Sequence, residues 1–249
     1  MRLEGLIINA DDLGISEAVN DAIFDLMAQG RVTSATVMAN GPAFRHAASR
    51  IHCFRRCSFG AHLNLTEFAP LTSGQNAAIL TGSGGMMSRH LGRRGFGPTL
   101  LSASYRELCA QIELLGASGI QVSHLDSHHH VHTQPQLLPV IKALQRRFRI
   151  RKARISKNIY TDEQAITPAL AGKKTAYNWA LRNVYTTRTT DGFTELLSYR
   201  GKAGSTRHRT IELMVHPGAT YAAEESAILK SDWLAASGLE ARLISYGEL

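Results

Sequence analysis

The chain has 249 residues, 44% hydrophobic and 19% charged, which is typical of a globular enzyme and excludes a disordered chain. The net charge of +8 admits an anionic membrane surface or a phosphate- or lipid-linked substrate, whereas the lack of an aromatic-interleaved basic motif predicts no nucleic-acid binding. No apolar run approaches the roughly 20 residues that span a bilayer, and Met1-Arg-Leu-Glu leads straight into an apolar strand, so we expect a cytoplasmic protein.

The first part of the chain alternates apolar strands with helical patterns. Residues 4–10 predict a strand, and Ser16 is placed to cap a helix that ends near Gly30. The next predicted elements are a strand at 33–39, a short helix to about Arg50 and a strand at 57–63.

A long Gly- and Ser-rich stretch then interrupts the alternation. Residues at about 66–102 contain no clear periodicity over most of their length, so we expect an insertion loop there, of the kind that often carries function. Beyond it, helices are predicted at 103–118, 135–148, 162–183, 191–199 and 222–236, and strands at 120–123, 152–156, 210–216 and 241–246.

Repeated strand-then-helix order predicts an α/β fold with a parallel sheet. About seven or eight such units without an internal linker indicate a single (β/α) barrel, distorted or incompletely closed, that forms one domain over residues 1–249. An open doubly wound sheet is the alternative, since periodicity does not distinguish the two.

Two adjacent carboxylates follow the first strand. Asp11 and Asp12 lie near the end of Leu6-Ile-Ile-Asn-Ala-Asp-Asp-Leu-Gly14. Because adjacent residues of an extended chain point in opposite directions, one carboxylate can bind a cation while the other handles protons. A helix cap or a turn is the alternative explanation, since Asp is common in both.

Five histidines and one carboxylate occupy only nine residues. His124-Leu-Asp-Ser-His-His-His-Val-His132 follows the apolar run at 120–123. Histidine is costly to bury unpaired, so this density at a strand end indicates a divalent metal, a proton-transfer site or both. A solvated His-rich loop is the alternative.

A third segment supplies one more candidate ligand. His62 and Asn64 interrupt the otherwise small and apolar run Cys57-Ser-Phe-Gly-Ala-His-Leu-Asn-Leu65. A lone histidine in such a strand is more often a core residue, but the other two segments make it a candidate ligand. Active-site residues of (β/α) barrels gather at the carboxyl ends of strands, and the residues at predicted strand ends here are Asp11, Asp12, Asn40, His62, Asp126 to His132, and His216.

The motifs of the chain resemble those of the YdjC-like carbohydrate deacetylases. This family includes chitooligosaccharide and hopanoid-linked N-acetylglucosamine deacetylases. The resemblance runs from about residue 4 to residue 218, and the motifs that carry it are Asn9-Ala-Asp-Asp-Leu-Gly-Ile-Ser, Gly60-Ala-His-Leu-Asn-Leu, Ser123-His-Leu-Asp-Ser-His-His-His-Val-His and Val215-His-Pro-Gly.

The resemblance implies a metal-dependent removal of an acetyl group from an N-acetylated sugar. It implies a divalent cation held by Asp12, His62 and His128, with Asp11 as general base and His216 as general acid. Two imidazoles and one carboxylate suit zinc, whereas members of the family are described with magnesium, so either ion is expected.

Further polar residues are expected to support this site or to contact the substrate. Asp126 is the natural carboxylate to orient His128 or the attacking water through a hydrogen bond. The other candidates for such supporting roles are Asn40, Asn64, His124 and His132.

Two other functions suit the same residues. The same ligands would also serve another metal-dependent hydrolase such as a phosphodiesterase. A non-catalytic carbohydrate-binding protein is the alternative that the basic charge leaves open.

Overall fold

The computed structural model describes residues 3–81, 84–89, 91, 95–161, 163–200 and 208–249, and the elements below belong to these ranges. The strands are β1 (Leu3–Leu13), β2 (Ser34–Val37), β3 (Ser58–Leu63), β4 (Val122–Ser127), β5 (Gly192–Glu195), β6 (Thr210–Val215) and β7 (Ala241–Leu243). The helices are α1 (Glu17–Ala28), α2 (Phe44–Arg50), α3 (Gly74–Thr81), α4 (Pro98–Ala117), α5 (Leu138–Phe148), α6 (Pro168–Asn183), α7 (Leu196–Arg200), α8 (Ala223–Lys230) and α9 (Trp233–Ala236).

The strands form one parallel sheet that curls into a half-barrel. Their order is β4-β3-β2-β1-β6-β5, and β7 pairs with the beginning of β1. The first four strands follow one another in chain order, and β6 returns to β1, as in a barrel. This arrangement confirms the predicted α/β fold in its distorted, incompletely closed form.

The gap between β4 and β5 is spanned by a short extended segment. Leu125 of β4 pairs with Ala153, and Lys152 pairs with Arg188, each as an isolated bridge. The predicted strand at 152–156 is therefore wrong: the segment pairs for one residue on each side and then leaves the sheet. Its position nevertheless directs Arg154 into the half-barrel, where this side chain is completely buried.

The two faces of the sheet differ in chemistry. Along β1, Leu6, Ile8 and Ala10 belong to the main apolar core. Ile7 belongs to a separate small cluster with Ile244 and Tyr246. Because side chains alternate across a strand, Asn9 and Asp11 share the concave face with Ile7. The polar side chains that strand alternation also places on this face include Thr36, His62, His124, Asp126 and Glu212, all buried.

Helix α1 forms as its sequence predicts. The Oγ of Ser16 accepts a hydrogen bond from the backbone N of Val19 at 3.2 Å, which satisfies one of the free amides at the helix start. Gly30 follows the helix with φ +67°, a left-handed conformation that glycine adopts without strain.

Several predicted elements differ from the structure. The predicted strand at 120–123 lies at Val122–Ser127 instead, so His124 and Asp126 are within the strand. The predicted helix at 191–199 is wrong in its first half, because Gly192–Glu195 pairs with β6 and only Leu196–Arg200 is helical. Pairing between distant segments has overridden a local helical pattern here.

Three further predictions need correction. The insertion at about 66–102 is partly helical, since it contains α3 and the start of α4, while residues 82–83, 90 and 92–94 lie outside the described residues. The predicted helix at 222–236 is interrupted at Ser231, whose backbone is extended. The predicted helix at 162–183 begins at Pro168, and residue 162 is likewise outside the described residues. Among the helices that the structure describes, none has the length and apolarity to cross a membrane.

Candidate metal and catalytic site

The carboxyl end of the half-barrel opens into a cavity of about 440 Å³. It is lined by the five residues predicted as ligands or catalytic groups, Asp11, Asp12, His62, His128 and His216, and by Ile15, Glu67, Arg89, Ser127, His129, His130, Met214 and Tyr221. Five candidate residues from four separate strand ends therefore converge, as the barrel prediction requires.

A backbone irregularity lets both carboxylates of β1 reach this cavity. The register between β1 and β2 shifts between Ala10 and Leu13. Asp12 lies inside the shift with φ +66°, a left-handed conformation that is uncommon for residues other than glycine. Asp11 and Asp12 do not point to opposite sides of a regular strand, as the sequence suggested, but line one cavity.

Asp12, His62 and His128 meet at one point. The Oδ1 atom of Asp12 lies 3.1 Å from Nε2 of His62 and 2.8 Å from Nδ1 of His128. This oxygen is buried, yet it makes no hydrogen bond. The oxygen and the two nitrogens thus converge without hydrogen-bond geometry. This arrangement fits three ligand atoms of one divalent cation, whose bonds to nitrogen and oxygen are about 2.0–2.2 Å long.

The charges of these groups support the same fit. Burial acts to raise the pKa of Asp12, but the adjacent His128 and His62 outweigh it and lower that pKa. Burial acts to lower the pKa of His62, but Asp126, Asp12 and Asp11 together raise it well above its usual value. The surplus of carboxylate around His62 favours a cation at this point, whether a proton or a metal ion.

Asp126 orients His62 and not His128. Its Oδ1 atom accepts a hydrogen bond from Nδ1 of His62 at 2.8 Å. Its Oδ2 atom accepts one from the Thr36 hydroxyl at 3.0 Å. The supporting carboxylate is the predicted one, but it holds His62 instead of His128, because Asp126 lies within β4 opposite His62 of β3.

Arg154 organises the layer beneath the cavity, and the sequence analysis did not single it out. Its guanidinium contacts both oxygens of Asp11 at 2.6 Å, Oδ2 of Asp126 at 2.8 Å and Oε1 of Glu212 at 2.8 Å. Burial acts to raise the pKa of Asp11, but Arg154 outweighs it and lowers that pKa. Asp11 is therefore held ionised and in a fixed orientation.

A sequence signal for Arg154 existed. In a segment extended as predicted at 152–156, Ala153 and Ile155 face one side and Arg154 faces the other. A high density of Arg, as at 146–154, is typical of a solvated surface, so composition alone does not distinguish Arg154 from its neighbours.

His216 follows β6 at the rim of the cavity, half-buried. Its backbone N donates a hydrogen bond to Oε1 of Glu225 on α8. The ring of Tyr221 lies 5.8 Å from the ring of His216. His216 and Asp11 line the same cavity.

Asn40 and Asn64 support a loop and do not line the cavity. Asn64 accepts hydrogen bonds from the backbone N atoms of Thr66 and Glu67 at 2.9 and 3.1 Å. Both asparagines donate to the carbonyl oxygen of Glu67, Asn64 at 2.7 Å and Asn40 at 3.3 Å. They therefore fix the loop that brings Glu67 to the site.

His124 and His132 do not line the cavity, and their role in supporting the site stays a prediction. The ring of His124 stacks on Tyr246 with centroids 3.6 Å apart, one layer deeper in the half-barrel. His132 contacts the Arg154 carbonyl oxygen at 3.2 Å. Burial lowers the pKa of both histidines well below the usual value, so both imidazoles are neutral.

The contact between His128 and Glu67 is the other feature that the sequence analysis missed. Nε2 of His128 lies 2.8 Å from Oε2 of Glu67. Glu67 is the single acidic residue of the long stretch at about 66–102, and this is the sequence signal that distinguishes it. A larger cavity of about 540 Å³ lies at the amino end of the strands and shares no residue with this site.

The family model described as YdjC-like protein matches residues 5–238. The chain belongs to this family. Among curated relatives of this YdjC-like chain, a carbohydrate deacetylase of Vibrio vulnificus (strain YJ016) is 38% identical over 58% of the chain and 56% of its own length. A carbohydrate deacetylase of Geobacillus stearothermophilus is 39% identical over 58% of the chain and 57% of its own length. The matched region thus spans little more than half of these relatives.

The fold of the YdjC-like chain is also found in a solved structure. A protein of Enterococcus faecalis V583, described as a candidate cellobiose-phosphate cleavage protein, superposes with a TM-score of 0.78 over 98% of both chains at 24% identity. At this identity the similarity establishes the shared fold.

Proposed function

We propose that the chain is a metal-dependent hydrolase that removes the acetyl group from an N-acetylated sugar of the N-acetylglucosamine type. The convergence of Asp12, His62 and His128 in a cavity that Asp11 and His216 also line carries this proposal. The family and its carbohydrate deacetylase relatives support the substrate class.

Asp12, His62 and His128 would hold the divalent cation. When bound, such a cation acidifies a water molecule and polarises the acetamide carbonyl group. Zinc suits two imidazoles and a carboxylate, whereas magnesium prefers oxygen. Reconstitution of chelator-treated protein with each ion in turn, followed by measurement of acetate release, distinguishes the two.

Asp11 would accept the proton of the attacking water. The low pKa that Arg154 gives Asp11 makes it a weak base but keeps it ionised and therefore able to accept a proton. The water oxygen attacks the carbonyl carbon, and the carbon–nitrogen bond breaks as His216 protonates the departing nitrogen. Acetate and an amino sugar result.

The test is acetate release from acetamido sugars by the wild-type protein and by Asp11→Asn. We expect Asp11→Asn to lose at least about 100-fold in activity, because general-base catalysis contributes roughly 10²–10⁴-fold, and to bind zinc as before. Asp25→Asn, an exposed position on α1, is the matched control. Full activity of Asp11→Asn contradicts the mechanism. Turnover of phosphate esters without release of acetate favours a phosphodiesterase. Sugar binding without turnover favours a non-catalytic binding protein.

The identity of the acetylated sugar is the more specific part of the proposal. The net charge of +8 favours a phosphate-bearing or lipid-linked acetamido sugar over a free one. A screen for acetate release across free, phosphorylated and lipid-linked substrates ranks the three. The cytoplasmic location stays a prediction, which fractionation of cells that express the protein would test.

A further inference from the structure

The two imidazoles of the candidate metal site present different nitrogens to Asp12. His62 turns its Nε2 atom toward Asp12, and His128 turns its Nδ1 atom. A neutral imidazole has one N–H and one lone pair. For both rings to offer a lone pair at this point, His62 must carry its proton on Nδ1 and His128 must carry its proton on Nε2.

Each of those protons faces a carboxylate. Nδ1 of His62 lies 2.8 Å from Asp126, and Nε2 of His128 lies 2.8 Å from Glu67. A carboxylate at the second nitrogen of a ligating histidine fixes its tautomer and its ring orientation. Glu67 therefore contacts the second nitrogen of His128 in the same way that Asp126 contacts the second nitrogen of His62.

The two carboxylates are anchored differently. Asp126 is completely buried within β4 and is held by Arg154 and Thr36. Glu67 lies on the loop after β3, and its side chain is 41% exposed where it lines the cavity. Its position depends on the hydrogen bonds of Asn40 and Asn64 to the loop backbone.

We propose that Glu67 is a positioning residue that holds His128 with its proton on Nε2 and thereby presents the Nδ1 lone pair to the cation. This assignment rests on the metal site of the proposed function. The asparagines at the ends of β2 and β3 act through it, because they set where the Glu67 carboxylate lies.

Zinc affinity measured by competition with a chromophoric chelator tests the assignment. We expect Glu67→Ala to weaken zinc binding by about 10- to 100-fold, the usual effect of losing such a partner. Glu67→Gln should lose less, because its amide oxygen still accepts a hydrogen bond from Nε2. Glu224→Ala, which removes an exposed carboxylate from α8, is the control for the change of charge and should bind zinc as the wild-type protein does.

A second measurement reads the tautomer directly. In zinc-loaded protein with ¹⁵N-labelled histidine, the NMR spectrum should show His128 protonated on Nε2 in the wild type, and Glu67→Ala should broaden or shift this signal while that of His62 stays in place. A loss of fold does not account for that pattern.

The outcomes separate this assignment from the activity itself. Unchanged zinc affinity in Glu67→Ala, or a proton on Nδ1 of His128, overturns the positioning role. If Glu67→Gln loses zinc as completely as Glu67→Ala does, Glu67 is itself a ligand and the positioning role is again overturned. Absence of acetate release from a protein that shows the expected zinc affinities would contradict the deacetylase proposal and leave the role of Glu67 intact.

Discussion

Replacing Arg154 with methionine removes the cation that contacts Asp11, Asp126 and Glu212. The guanidinium is completely buried and makes four contacts of 2.6–2.8 Å with these three carboxylates. Methionine has a similar length and fills much of the same volume. The substitution therefore tests the charge of Arg154 more than its size.

The expected loss of stability is large. A hydrogen bond to a charged group contributes about 1.5–3 kcal/mol, but contacts that share one guanidinium are not additive. Removing one partner of a buried ion pair costs about 3–5 kcal/mol because the other charge stays buried. We expect Arg154→Met to lose about 3–5 kcal/mol at pH 7, against a total stability of about 5–15 kcal/mol for a typical domain.

Urea unfolding followed by circular dichroism measures this loss. Arg31→Met is the matched control, because the ion pair of Arg31 with Asp232 is 2.7 Å long but exposed, and an exposed pair contributes about 1 kcal/mol or less. A loss below 1 kcal/mol for Arg154→Met would show that the carboxylates do not depend on the guanidinium, and the account of the layer beneath the cavity would then be wrong.

Two further substitutions test the packing around the site. A Cβ atom at Gly60 would lie 2.5 Å from Cε1 of His124. Gly60→Ala should therefore lower the free energy of unfolding by about 1–3 kcal/mol, measured by thermal unfolding. Equal losses in the wild-type and His124→Ala backgrounds would show that this contact is not the cause. Burial raises the pKa of Glu225 from 4.5 to about 7, so the folded state binds its proton more tightly and stability should fall as pH rises from about 4.5 to 7, by about 3 kcal/mol. Glu225→Gln should remove this part of the pH dependence in urea unfolding, and profiles that stay parallel would argue against it.

The candidate metal site shows how much of the site could be predicted from the motifs of the sequence. Asp12, His62 and His128 were predicted as ligands from the resemblance of their motifs, and the structure brings all three together at 2.8–3.1 Å. Their role as ligands stays a prediction. Strand ends on a parallel sheet meet at one edge, so residues at those ends approach each other whatever the details of the loops.

The supporting residues could not be predicted in the same way. Glu67 and His128 are 61 positions apart in the sequence, and Arg154 and Asp11 are 143 apart. Neither spacing relates to a helix or strand period, so no local pattern encodes either contact. The alternation of β4 directs His124 onto Tyr246, a contact that its place in the histidine cluster does not indicate.

From the sequence alone came the alternation of strands and helices, the parallel sheet and the end of the sheet at which polar residues gather. These follow from hydrophobic periodicity and strand polarity, which are local properties of the chain. The tertiary structure decided three other features: the turn of Asp12 into the cavity, the burial of Arg154 and the carboxylate partner of each imidazole. They depend on strand register and on charges that become neighbours only when the sheet curls, and their energies are set by burial, which no short segment determines by itself.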